Sequence, residues 1–234
     1  MNNSGDIRWS HAVNSKEKLL RFLGDLETDF IESDIRLSLQ QGIPVAAHPP
    51  ETESDLTFEK LITSLETSRK GLKLDFKDPE ILLPCLERLR GSKLQQIVFL
   101  NADVLQGNGA SPSKFDADEF IELSRKIYPQ GILSLGWTTV ADSEKSYTKE
   151  NIDEMLKLCE KYELNEATFP VRACLLPKSQ EELQRLTSLE NYTLTIWNNE
   201  PVSQELASWI KKHTDPRKTF YDFIDDNKEP LRLW

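Results

Sequence analysis

Long hydrophobic runs are missing from this 234-residue chain. No apolar stretch approaches the ~18 residues needed to span a bilayer, and the start, MNNSGDIRWS, lacks the hydrophobic centre of a signal peptide. The expectation is a soluble, cytoplasmic protein without a transmembrane segment. Cysteine is scarce as well. Cys85, Cys159 and Cys174 are too few and too scattered for a disulfide framework or a zinc site, and they read as reduced structural thiols. Positive charge is in deficit: 29 Lys and Arg stand against 39 Asp and Glu, a net charge of −10, with no dense basic run. That balance works against nonspecific binding to a phosphate backbone, so nucleic acid is not an expected partner. The nine glycines form no G-x-G-x-x-G after the first strand and no G-x-x-x-x-G-K-[ST] anywhere.

What is present is core material, with 38% hydrophobic residues, five Trp and ten Phe. Short β-rich runs alternate with amphipathic helical stretches throughout, uninterrupted by a linker or repeat. The candidate strands are Ile7 to His11, Phe30 to Leu37, Gly71 to Lys77, Gln96 to Val104, Ile132 to Trp137, Ala167 to Ala173, Tyr192 to Trp197 and Thr219 to Ile224. A short extra strand, Ile43 to His48, turns back after the second. Helix starts are signalled by Asp78 before Pro79, by Thr148, and by Ser179 with Glu182 as a capping box. Helical spacing recurs in Leu19, Leu23 and Leu26, in Phe58, Leu61, Ile62 and Leu65, and in Ile152, Met155, Leu156 and Cys159. Alternation of this kind implies parallel strands with crossover helices. Eight units, in a chain close to the ~250 residues typical of the fold, predict an α/β protein with residues 1–234 forming a single (β/α)8 TIM-barrel domain.

Strand parity then selects a face. Glu32, Asp34 and Arg36 share one side of the second strand, while Ile31, Ile35 and Leu37 share the other. The third strand repeats the device, with Lys73, Asp75 and Lys77 opposite Leu72, Leu74 and Phe76. The apolar set must meet the helices, which turns the charges inward near the strand ends where barrel enzymes keep their catalytic groups. Buried charges are costly unless paired or bound to a metal. Glu32, Asp34 and Asp75 offer only oxygen, which suits a hard divalent cation, Mg2+ or Ca2+. Each carboxylate alone is more often a satisfied structural group than a functional one. Their concentration with two histidines at consecutive strand ends favours a site.

Of the three histidines, His11 and His48 fall beside the carboxylates, where paired imidazoles suit general acid and base work near neutral pH. His213 ends a helix, Trp209 to His213, and is given no catalytic role. Later strands contribute Asn101 and Asp103, Trp137, Arg172 and Trp197. The two tryptophans either fill the core or stack on substrate. Arg172 either grips phosphate with two hydrogen bonds or pairs with a carboxylate.

The motifs WSHAVNS (9–15), IESDI (31–35), AAHPP (46–50), LKLDFK (72–77), LNADV (100–104), LSLGWTT (133–139), TFPVRA (168–173) and LTIW (194–197) together resemble the menorin family, over nearly the whole chain. The likeness is to a short soluble member without the membrane segment of its longer relative. That family is distantly similar to glycerophosphodiester phosphodiesterases and spider-venom phospholipases D, which are barrels with a divalent metal. The resemblance implies metal ligation by Glu32, Asp34 and Asp75, acid/base work by His11 and His48 with His48 as the acid, and phosphate contact by Lys77. It matches Trp197 to the late-strand Trp of those enzymes. Their first His is followed by Arg and Gly, where this chain has Ala12 and Val13, and Lys73 has no counterpart.

The function expected is a metal-dependent phosphodiesterase-like enzyme acting on a phosphodiester such as a glycerophosphodiester or lysophospholipid, by hydrolysis or by cyclisation. Lys73, Asn101, Trp137, Arg172 and Trp197 are candidate substrate contacts. The alternative is a non-catalytic family member that retains a metal or phosphate pocket and acts through protein partners.

Overall fold

The computed structural model describes residues 4–140, 142, 144–200, 202–225, 227 and 229–231. Its contacts divide the chain into two compact units. One comprises Arg8–Ala102 and Lys114–Leu133, the other Met1–Ile7, Asp103–Ser113 and Ser134–Trp234.

In the first unit β1 (Trp9–Ser10) leads to α1 (Lys16–Gly24), β2 (Phe30–Leu37), β3 (Pro44–Ala46), α2 (Phe58–Leu65), β4 (Gly71–Phe76) and α3 (Leu82–Arg90). Strand β5 (Val98–Leu105), whose last residues belong to the second unit, and α4 (Ala117–Ile127) follow. Strands β1, β2, β4 and β5 pair in that order, all parallel. Strand β3 is the expected strand that turns back, antiparallel to β2 with Ile35 opposite Ala46. The helices cover the apolar strand face, to which Ile31, Ile35, Leu72 and Leu74 contribute with no exposed surface. Helix α2 buries Phe58, Leu61, Ile62 and Leu65, and its Thr57 cap accepts from the Lys60 N–H at 3.2 Å.

On the opposite face the strand register stacks the side chains in layers. Trp9, Phe30 and Gly71 are partners at the N-terminal end. Above them Glu32 is level with Lys73 and Phe99, and above those Asp34 is level with Asp75 and Asn101. The bottom of the stack is aromatic: the Phe30 ring lies 4.7 Å from Trp9 in its own layer and 5.5 Å from Phe99 in the layer above, centroid to centroid. Gly71 is required there, because a Cβ would come within 2.1 Å of the Phe30 ring. Charge thus sits on an aromatic floor, toward the C-terminal ends of the strands.

The second unit holds β6 (Ile132–Trp137) from Ser134 onward, α5 (Lys149–Lys161), β7 (Ala167–Arg172), α6 (Gln180–Leu186), β8 (Tyr192–Trp197), α7 (Gln204–His213) and β9 (Thr219–Asp222). These strands also pair in chain order and in parallel. Eight parallel strands alternating with helices are the signature of the (β/α)8 TIM-barrel class, as the sequence predicts.

Two local expectations fail. The Leu19, Leu23, Leu26 face does not form: α1 stops at Gly24, its buried residues are Leu19 and Phe22, and Leu26 is 92% exposed. Ser179 starts α6 but makes no side-chain cap. Its hydroxyl instead accepts from the Tyr147 N–H at 2.8 Å and donates to the Leu175 carbonyl at 2.7 Å, so a longer-range bond has displaced the local one. At Thr148, by contrast, the helix carries a full capping box with Asn151. All three cysteines are free. Among the described residues no helix is long and apolar enough to cross a membrane.

Candidate active site

The first unit brings His11, Glu32, Asp34, Lys73, Asp75, Lys77 and Asn101 onto one strand face or its rim, with His48 delivered from the loop after β3. Glu32 is 1% exposed and Asp34 3% exposed, which for carboxylates demands partners. Glu32 Oε2 accepts from the Ala12 N–H at 2.7 Å and lies 3.5 Å from His11 Nδ1. Ala12 adopts a φ of 51°, a left-handed conformation that is strained for a residue with a side chain. The strain is held by bonds on both sides, since the next N–H, of Val13, donates to the Glu32 carbonyl at 2.9 Å. The turn after β1 is thereby wrapped over Glu32.

Asp34 is bound from two directions. Asn14 Nδ2 donates to its Oδ2 at 2.7 Å, and Lys77 Nζ lies 3.0 Å from its Oδ1. Burial opposes ionisation of Asp34 most strongly, yet the positive charges of Lys77, His48 and His11, with the Asn14 hydrogen bond, hold its carboxyl below the usual aspartate range. The same Lys77 ammonium donates to Asp75 Oδ2 at 2.6 Å, and Asn101 Nδ2 donates to Asp75 Oδ1 at 2.8 Å. Glu32, Asp34 and Asp75 each present one oxygen within 4.8 Å of the others. Three convergent carboxylates with no sulfur or nitrogen in the set fit a hard divalent cation.

The two histidines differ in setting. His11 is largely enclosed, its side chain 15% exposed beside Glu32, whereas His48 is exposed. His48 Nδ1 lies 2.6 Å from the Pro49 carbonyl oxygen. A carbonyl only accepts, so Nδ1 carries the hydrogen and Nε2 is the atom left to exchange a proton. The loop bearing His48 is pinned by the Ala47 N–H to the Asp34 carbonyl at 3.0 Å, by Arg36 to the Glu51 carbonyl at 2.7 Å, and by Ser54 to the Asn14 carbonyl at 2.7 Å. Arg36 also reaches Asp78 Oδ2 at 3.3 Å, and Lys114 Nζ lies 3.0 Å from Asp78 Oδ1.

Sequence reasoning missed Asn14, the Ala12 amide and the Arg36–Asp78–Lys114 group. Asn14 stands within the WSHAVNS motif, but as a loop residue beside the helix cap Ser15 it has no parity to give it a face. Lys73 is buried, at 3% exposure, level with Glu32.

The second unit carries the other three candidates. Trp137 is 1% exposed and packs 5.2 Å from Tyr147 and 6.4 Å from Phe169, a core position. Arg172 is committed to a carboxylate: it pairs with Glu200 and its guanidinium carbon stands 5.3 Å over the Trp197 ring. Its backbone N–H donates to the Tyr147 hydroxyl at 2.9 Å. His213 ends α7 stacked 4.3 Å from Trp209, with Nδ1 2.7 Å from the Trp209 carbonyl oxygen, a local role at a helix terminus. Asp103, on the same parity as Asn101, is exposed near the end of β5.

Comparison with known proteins agrees with this architecture. The sequence profile of the menorin N-terminal domain matches residues 3–228. The human protein FAM151B is 35% identical over 239 residues, covering 97% of this chain and 86% of the relative. Among solved structures, one assigned as a glycerophosphodiester phosphodiesterase from Galdieria sulphuraria superimposes with a TM-score of 0.59 at 12% identity, covering 96% of this chain and 94% of the other. A second, assigned as a glycerophosphoryl diester phosphodiesterase from Silicibacter pomeroyi, gives a TM-score of 0.55 at 11% identity, with 97% and 91% covered. At such identities the likeness is one of fold, and it supports the TIM-barrel class.

Proposed function

The chain belongs to the menorin family, and we propose that it is a divalent-cation-dependent phosphodiesterase acting on a small phosphodiester, with glycerophosphodiesters and lysophospholipids as the first substrates to try. The observation that carries this reading is the convergence of Glu32, Asp34 and Asp75 oxygens within 4.8 Å, with the Lys77 ammonium on two of the three residues. These carboxylates would hold Mg2+ or Ca2+, and the bound ion would supply charge neutralisation at a nonbridging phosphate oxygen. Lys77 brings a second positive charge to the same phosphate. His11, enclosed against Glu32, and His48, with Nε2 left to exchange a proton, divide the proton transfers, with His48 donating to the leaving oxygen. The fold supports the reading because barrel enzymes place such groups at the C-terminal strand ends.

In the same proposal residues 1–234 act as one barrel domain in the cytoplasm. Lys73 and Asn101 belong to the substrate side of the site, and Trp197 is kept as a candidate substrate contact, whereas Trp137, packed in the core, and Arg172, paired with Glu200, are not.

The test is a phosphodiester panel containing glycerophosphocholine and a lysophospholipid, run with Mg2+, Ca2+ or chelator on the wild type and His48→Ala. The expected result is cation-dependent turnover that chelator abolishes and that falls ~10²- to 10⁴-fold in the variant. Absence of turnover replaces the enzyme by a non-catalytic binding protein, and turnover indifferent to His48 removes His48 from the proton transfers.

A further inference from the structure

Asn14, in the loop between β1 and α1, holds Asp34 in a way that anchoring the loop does not require. Its Oδ1 accepts from the Asp34 backbone N–H at 3.0 Å and from Ser33 Oγ at 3.2 Å. Those two bonds, with the Ser54 hydroxyl on the Asn14 carbonyl at 2.7 Å, already tie the loop to β2 and to the segment after His48. The remaining polar group, Nδ2, is spent on Asp34 Oδ2 at 2.7 Å. Oδ1 of the same carboxylate faces Lys77, at 3.0 Å, on the side that Lys77 shares with Asp75. The two Asp34 oxygens therefore have different environments, one fixed by a neutral amide and the other on the cationic side of the site.

A buried carboxylate with one oxygen oriented by an amide is biased toward offering a cation its other oxygen, because two-oxygen binding would have to share or weaken that charge-assisted hydrogen bond. Mg2+ is content with single oxygens at octahedral positions. Ca2+ takes six to eight ligands and commonly draws both oxygens from one carboxylate. We propose that Asn14 sets the ion preference of the site: by retaining Asp34 Oδ2 it makes Asp34 a one-oxygen ligand and favours a small octahedral cation over Ca2+. Asn14 is thus a positioning residue that acts through Asp34. The inference rests on the reading of Glu32, Asp34 and Asp75 as the ligand set.

The experiment is calorimetric titration of the full chain with Mg2+ and with Ca2+, for the wild type, Asn14→Ala and Asn14→Asp, each checked for folding by circular dichroism. Asn14→Asp keeps an oxygen that can accept from Asp34 N–H and Ser33, and replaces the donor by a carboxylate oxygen. Its added charge strengthens both ions together, so the ratio of the two dissociation constants isolates the effect. In both variants the ratio should move toward Ca2+ by roughly tenfold, the scale on which groups supporting metal ligands act. If Asn14→Ala does not fold, Asn14→Asp decides alone. A ratio unchanged from a wild type that does bind cations reduces Asn14 to a loop anchor and overturns the inference, leaving the ligand set intact. A wild type that binds neither ion overturns the ligand set and the inference with it.

Discussion

Lys77 Nζ lies 3.0 Å from Asp34 Oδ1, and it bonds Asp75 Oδ2 at 2.6 Å as well, so one ammonium occupies two of the three residues expected to bind a cation. A lysine and a divalent ion so placed compete for the same oxygens. Lys77→Met should therefore raise divalent-cation affinity several-fold in calorimetric titration, while lowering phosphodiester turnover by ~10²- to 10³-fold through loss of charge at the phosphate. Weaker cation binding in the variant would show that the ammonium supports the carboxylates instead of competing with a cation.

His48 is exposed and fixed mainly through its own loop. Replacing it by alanine should leave stability within ~0.5 kcal/mol of the wild type in a denaturant titration. The turnover loss is expected without it. His11→Ala, which removes an enclosed ring beside Glu32, should lower both activity and melting temperature.

Asp78 gives a pH dependence of known sign. Burial pushes its carboxyl upward, but hydrogen bonds from Lys114 and the Leu37 N–H, with the charges of Lys114 and Arg36, bring it below its ordinary value of 3.8. A carboxyl depressed in the folded state stabilises the protein above that ordinary value, and the contribution is lost as pH falls through the folded-state value. Urea unfolding measured at a series of pH values from about 5 downward should show wild-type stability falling more steeply than that of Asp78→Asn. Parallel curves would mean that the carboxyl titrates alike in both states.

Tyr147 is buried, and burial pushes its hydroxyl well above the ordinary tyrosine value. The hydroxyl accepts the Arg172 N–H at 2.9 Å. Tyr147→Phe should cost ~1–3 kcal/mol, the penalty for stranding a buried donor. Thermal unfolding measures it, and an unchanged melting temperature would show that the N–H finds another acceptor.

Most of the strand pattern was readable because its cause is local. Period-two alternation puts Glu32 with Asp34, and Lys73 with Asp75 and Lys77, whatever lies around them, and the observed β2, β6 and β8 coincide with the expected runs. The helix face of α2 was legible for the same reason, and that of α5 in Ile152, Met155 and Cys159, with Leu158 buried in place of the expected Leu156; the failure of Leu26 shows the limit: Gly24 ends the helix before the leucine reaches the buried face.

Glu32, Asp34, Asp75, His11, His48 and Lys77 were thus determined as candidates by the amino-acid order itself, through residue type and alternation. Which oxygen meets which partner was decided by tertiary structure alone. The level of Asp34 with Asp75 and Asn101 depends on register between strands far apart in sequence, set by long-range pairing that no local period encodes. Asn14 and the strained Ala12 lie in a turn with no periodicity, and they acquire their roles only when the chain returns over β2 to bind Asp34 and Glu32. Ser179 illustrates the same physics in reverse, since a hydroxyl that suits a local cap was claimed by a Tyr147 amide 32 residues away.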